Sequence, residues 1–105
     1  MTPGREPAAV REVDDFAAAQ ASVGTRVRVR GVAQNDKLSA AVEARGLVVY
    51  CLDVEGWPAD QVGKPAAIEG RLERTDEFTA RWSDGVVSQG TGGPVFVIRR
   101  CTIVR

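Results

Sequence analysis

Apolar and polar residues alternate strictly along "TRVRVRGVAQ", with Val27, Val29 and Gly31 on one side and Arg26, Arg28 and Arg30 on the other. A period of two is the mark of a half-buried strand. The same period returns in "LSAAVEA", where Leu38, Ala40 and Val42 fall on the inward side, and in "PAAIEGRLER", where Ala66, Ile68, Gly70 and Leu72 share a face; between them the apolar run "LVVYCLDV" reads as strand three. A β-rich run, "VFVIRRCTIVR", reads as a fifth strand from Val95 to Val104. Ahead of the strands the period is different: Val10, Val13, Phe16, Ala17 and Gln20 follow a spacing of three and four, predicting a helix over about 8–23 that ends at Gly24.

The connections follow from turn chemistry. "NDK" at Asn35 to Lys37 and Arg45-Gly46 predict two hairpin turns. "EGWPADQVGK" interrupts the strands and leaves room for one helical turn starting at Pro58, a short helical connection between strands three and four. Residues 75–94 form a long polar, glycine-rich segment in which "SDG" can close a small hairpin between Phe78-Ala80-Trp82 and Val86-Val87. Residues 1–7, "MTPGREP", read as a flexible arm, leaving 8–105 as one domain with its barrel over about 24–105. The fold class expected is mainly β: a five-stranded barrel with a short N-terminal helix.

The paired stretches "VGTRVRVRGVA" and "VGKPAAIEGRLER" each run from one glycine through alternating apolar positions to another. In this, and in its strand order, the chain resembles small bacterial OB-fold proteins, including the group related to anticodon-binding and helicase-associated OB domains, over about Val23 to Val104. The resemblance implies that the paired glycines let strands one and four bend. It also implies a ligand face on strands two and three, helped by the loops after strands one and four. Here that face falls on Lys37, on Ser39, Ala41 and Glu43 or their alternates, and on Trp82, with few aromatics or cations on strand two. OB folds bind oligonucleotides, oligosaccharides and proteins, so the class of ligand stays open.

Composition narrows the choices. At 105 residues and 44% hydrophobic, the chain is sized for one modest core. Fourteen basic and fourteen acidic side chains cancel, and the isoelectric point is near 6.3, so no global field draws the protein to nucleic acid or to an anionic membrane. Twelve of the fourteen cations are arginine, the remainder being Lys37 and Lys64. With no histidine, a Ser-His-Asp triad and histidine metal ligation are excluded. "GTGGP" lacks the Lys-Ser/Thr of a phosphate-binding loop, and Asp76/Glu77 are adjacent rather than paired, so no enzyme, metal or cofactor is expected. Nothing approaches the roughly 18 apolar residues of a membrane span, and the N-terminus lacks the pattern of a secretory leader. The expectation is a cytoplasmic protein.

Two features stay open. If Arg45-Gly46 make a two-residue turn, Val49 and Cys51 face inward and Val48, Tyr50 and Leu52 form an outer apolar stripe suited to a protein partner or the helix; a one-residue bulge reverses this. Cys51 and Cys101, on neighbouring strands, are two buried thiols or a disulfide, the cytoplasmic expectation favouring thiols. The arginine row is read as the wet side of the sheet, paired with Glu69 and Glu73, rather than as phosphate contacts. Trp57 is expected to cover one end of the barrel.

The function expected is therefore a non-enzymatic binding module, with a protein partner (an immunity-type inhibitor or an assembly partner) preferred. Its anchors would be Trp82 and Arg81 in the long loop, with Tyr50 on the outer stripe. The alternative is single-stranded nucleic acid or an oligosaccharide across strands two and three, using Lys37, Arg45 and Trp82.

Overall fold

The computed structural model describes residues 10–36, 38–76, 82–83, 86–87 and 94–104. The elements are β1 (Arg11–Val13), α1 (Phe16–Ser22), β2 (Arg26–Asn35), β3 (Ala40–Ala44), β4 (Leu47–Cys51), β5 (Pro65–Thr75), β6 (Trp82–Ser83), β7 (Val86–Val87), β8 (Val95–Ile98) and β9 (Thr102–Val104). Five of them close a barrel. The antiparallel meander β2-β3-β4 continues through the parallel pair β4–β8 and the antiparallel pair β8–β5, and β5 returns to β2. This mixed five-stranded barrel is consistent with an OB fold. Val27, Val29, Val42, Val49, Ile68, Leu72 and Ile98 fill its interior; the alternation in strands one, two and four predicts this for Val27, Val29, Val42, Ile68 and Leu72.

The helix is shorter than the spacing of apolar residues predicts. Arg11–Val13 instead pairs in parallel with Val27 to Val29, burying Val13. Asp15 decides the boundary: its extended backbone stops the helix from reaching back, and its carboxylate accepts the Ala18 N–H at 2.7 Å, a helix N-cap. Gly24, at φ 87°, ends the turn after the helix. The helix lays Ala19 into the core, and the Phe16 ring meets Phe96 edge-on at 5.5 Å.

The β3–β4 hairpin resolves the register of strand three. Arg45 (φ 51°) and Gly46 (φ 82°) both adopt the positive φ of a two-residue turn, so Val42 pairs with Val49 and Ala40 with Cys51. Val49 and Cys51 face inward, while Tyr50 and Ala41 join Val97 in a second apolar cluster on the outside. Leu38, expected inward, packs against this outer cluster; it precedes β3, so the strand's alternation does not extend to it.

Between β4 and β5 the chain makes a single turn rather than a helix: the Pro58 carbonyl accepts from Gln61 and Val62 at 2.8 and 3.3 Å. Trp57 is buried here, as expected for a barrel-end cover. Its indole Nε1 donates to the Ala41 carbonyl at 2.8 Å. Asn35 holds its backbone from both sides, accepting from Trp57 N at 2.6 Å and donating to Trp57 O at 3.2 Å. The hairpin expected at "SDG" is present as the β6–β7 pair, Trp82 opposite Val87.

The last strand is split. Leu72 pairs with Ile98 and Glu69 with Thr102, so Gly70 and Arg71 oppose three residues, Arg99, Arg100 and Cys101. This one-residue excess has the count of a β-bulge, and it shifts the inward phase from Phe96 and Ile98 to Ile103. Cys101 is thereby brought to Cys51, and the two form a disulfide with Cα atoms 5.4 Å apart. The expectation of two free thiols is overturned.

Two glycines permit this closure. A Cβ at Gly31 would lie 2.2 Å from the Glu43 carbonyl oxygen, and one at Gly70 would lie 2.3 Å from Ile98 Cγ2 and 2.9 Å from the Arg100 carbonyl oxygen. At Gly31 the obstacle is backbone, which a side chain's rotation cannot relieve. Gly31→Ala is expected to lower stability by about 3 kcal/mol, the upper range for overpacking, measured by denaturant unfolding. The disulfide closes a loop of 50 residues, and the chain-entropy relation assigns such a loop about 4 kcal/mol. Unfolding with and without a dithiol reductant measures this, with intact-mass analysis showing two hydrogens gained on reduction.

Candidate functional site

The arginine row is engaged by carboxylates. β1 and β5 flank this part of β2, placing Glu12 and Glu69 beside Arg28 in register. Arg28 Nε donates to Glu69 Oε2 at 2.6 Å, and Arg28 Nη1 lies 3.5 Å from Glu12. Arg30 Nε donates to Glu12 Oε1 at 3.2 Å, and Arg26 Nη2 is 3.6 Å from Glu69. Glu69 was expected in this role, but Glu73 was not placed correctly: it pairs with Arg99 at 3.1 Å, two rungs beyond the row. Glu12, assigned by its sequence context to a helix, takes the second acidic position. The exposed pairs to Glu12 contribute about 0–1 kcal/mol each, while the Arg28–Glu69 pair is part-buried; the larger consequence of all of them is to occupy the guanidinium groups of β2.

The outer face of β3 and β4 is apolar in the middle. Ala41 and Val97 are fully buried and Tyr50 is 5% exposed, so these side chains belong to a second small core. Polar groups surround it: Gln34 donates to Glu43 at 2.7 Å, and Asp36 lies against the Tyr50 phenol. Burial, followed by the charge and hydrogen bond of Asp36, pushes the Tyr50 hydroxyl up to about 12. Arg45 is exposed at the tip of the β3–β4 turn. Lys37 and Arg81 lie outside the described residues, as does the Trp82 side chain, whose backbone is in β6. Of the five expected site residues, only Tyr50 and Arg45 have side chains among the described residues, on the outer face of β4 and at the tip of the β3–β4 turn.

An open cleft surface of mixed polar and apolar character lies elsewhere, where β5 begins. Trp57, Pro58, Gln61, Pro65, Ala66 and Val104 line a cleft of about 330 Å³. A second, of about 310 Å³, shares Pro65, Ala66, Ala67 and Val104 and reaches Arg30. The sequence places these residues by two local rules. Pro58 and Pro65 bracket the turn, and Pro65 opens β5, where a missing N–H is tolerated. The adjacent residues Val62, 41% exposed, and Val32, 38% exposed and paired with Pro65, extend the surface. β9 forms one wall and ends the sheet, so its outer edge has no strand partner among the described residues. The signal for this site was weak in the sequence, since its members come from three separated segments and none is charged except Arg30.

Chemically, such a surface offers apolar contact, a single amide at Gln61 and a strand edge with backbone donors and acceptors. Among the described residues no three Asp, Glu or Cys side chains converge in a metal-binding group, and no helix is long and apolar enough to cross a membrane. The chain matches no protein-family model, no curated protein and no solved structure.

Tyr50 is the chain's single tyrosine, so tyrosinate absorbance reports it alone. Because its folded value is raised, its contribution to stability is complete below pH 10 and is lost as pH rises from about 10 towards about 12. Half-ionisation near pH 12 is expected in the folded protein, moving back towards 10 in Asp36→Asn; midpoints that coincide for the two proteins would contradict the Asp36 contribution.

Proposed function

We propose that this chain is a non-enzymatic binding module whose ligand is an extended segment of a protein partner, held in the paired clefts beside β9. The observation that carries this reading is the adjoining of two clefts with mixed polar and apolar walls to a strand edge that has no partner among the described residues. Extended peptides use such edges by adding a strand: the backbone ladder gives affinity, and pockets for alternate side chains give selectivity. The pockets along Pro65 to Ala67 and Val104 suit apolar side chains, with Gln61 and Arg30 at opposite ends to fix polarity.

The barrel order supports kinship with the small bacterial OB-fold proteins, in the group of anticodon-binding and helicase-associated domains. Binding of single-stranded nucleic acid across strands two and three has less support. The described surroundings of that face are Asp36, Glu43 and Gln34, and the arginines of β2 are held by Glu12 and Glu69.

Peptides selected from a random display library on the folded protein, then mapped by chemical-shift perturbation, test the proposal. Shifts are expected at Ala66, Ala67 and Val104, with Val104→Asp weakening the selected peptides about tenfold or more while its melting temperature is checked separately. Shifts confined to β3 and β4, or salt-dependent binding of single-stranded oligonucleotides there with no peptide selected, would overturn it.

A further inference from the structure

The charges of the chain sum to zero but are not evenly mixed. On the outward side of β2 and β5, the three arginines of β2 are joined by Arg71, Arg99 and Arg100, and the carboxylates that pair with this group are Glu12, Glu69 and Glu73. Among the described residues, guanidinium groups outnumber the carboxylates that pair with them on this face. The excess is local. Arg26 stands directly opposite Arg71 in the β2–β5 ladder, an arrangement of like charges that works against the fold. Arg26 reaches Glu69 only at 3.6 Å, because the near contacts of that carboxylate go to Arg28. Arg71 and Arg100 are exposed, and neither has an ion-pair partner among the described residues.

The bulge creates the geometry. By setting three residues opposite Gly70 and Arg71, it presents Arg99 and Arg100 consecutively and outward beside Arg71. Bulges redirect side chains and recur beside functional sites. Arg71, Arg99, Arg100 and Glu73 line a cleft of about 290 Å³. Gly70 allows the Arg100 backbone to come this close, and Cys101, the third residue of the bulge, is fixed by its disulfide to Cys51 and by its N–H to Asp53 at 3.2 Å. The cleft is thus built on a braced segment of backbone.

We propose that this cleft is a binding site for a phosphate group, free or as the terminal group of a small ester. Guanidinium forks match the spacing of phosphate oxygens, and three of them around one cleft supply complementary charge without a metal. A continuous polyanion fits less well: the positive surface is interrupted by Glu69 and Glu73 and engaged by Glu12 along β2, leaving a point and not a track. Glu73 acts as an internal competitor. It holds Arg99 in the free protein and must yield part of that contact to the incoming anion.

Titration with inorganic phosphate, pyrophosphate and phenyl phosphate at low ionic strength, read on the arginine side-chain NMR signals, tests the site. Saturable shifts are expected at Arg71, Arg99 and Arg100. A stronger response to phenyl phosphate than to inorganic phosphate assigns an ester as the natural form, and the reverse assigns the free ion. Arg71→Ala and Arg100→Ala should each weaken pyrophosphate binding about tenfold, as loss of one charge-assisted contact predicts. Glu73→Gln should tighten it severalfold. Arg45→Ala, on the remote hairpin tip, should leave it unchanged. Equal binding by wild type and Arg71→Ala, weaker binding by Glu73→Gln, or shifts spread over all surface arginines would overturn the proposal, as would affinity for oligonucleotides that rises steadily with their length.

Discussion

A five-stranded barrel this narrow closes only if backbone passes close to backbone, and Gly31 and Gly70 are where it does. At Gly31, β2 leaves β5 and turns to β3, so the carbonyl of Glu43 occupies the space a side chain would need. At Gly70, β5 exchanges its pairing with β8 for pairing with β9, and Ile98 and Arg100 fill the corresponding space. The two strands that carry these glycines also pair with one another from Arg26 to Val32. Closure, the bulge and the path of the C-terminal strand therefore depend on the same close approaches.

The bulge at Arg99 to Cys101 joins features that are distant in sequence. It moves Cys101 to Cys51, which ties the end of β4 to the start of β9, and it directs Arg99 and Arg100 towards Arg71. β9 has only three residues, too few to hold itself on β5 by backbone pairing alone. Its anchorage comes from Ile103 packing on the core and from the crosslink immediately before it. The proposed peptide edge and the proposed phosphate cleft lie on either side of that anchored segment.

Electrostatics and packing divide the surface between them. The arginines of β2 form a ladder with Glu12 and Glu69, while the middle of the outer face of β3 and β4 is closed by Tyr50, Ala41 and Val97. The arginine row and the middle of the outer apolar stripe are thus largely engaged by the protein itself. The exposed chemistry lies where strands change partners, at Pro65 and at Arg99 to Arg100, because there regular pairing leaves clefts and consecutive outward side chains.

The alternation of Val27, Val29 and Gly31, and of Ile68, Gly70 and Leu72, was enough to determine which faces are buried, because the side-chain period of a strand is independent of its partners. Arg45-Gly46 limited the register of β4 to two possibilities, and the positive φ values at both residues selected one. The short N-terminal strand was not legible: Val10, Val13 and Phe16 satisfy a helical spacing, and only the parallel partner on β2 makes Arg11–Val13 a strand. Likewise "VFVIRRCTIVR" holds apolar residues on both phases, Phe96 and Ile98 on one and Ile103 on the other, and reads as one strand until β5 shows where the extra residue lies. Sequence by itself determined the periods of the first, second and fourth barrel strands and the position of the Arg45-Gly46 turn. The disulfide, the acidic partner Glu12, both groups of clefts and the convergence of Arg71 with Arg99 and Arg100 were decided by tertiary structure, since each joins segments whose proximity comes from barrel closure and from no pattern within either segment.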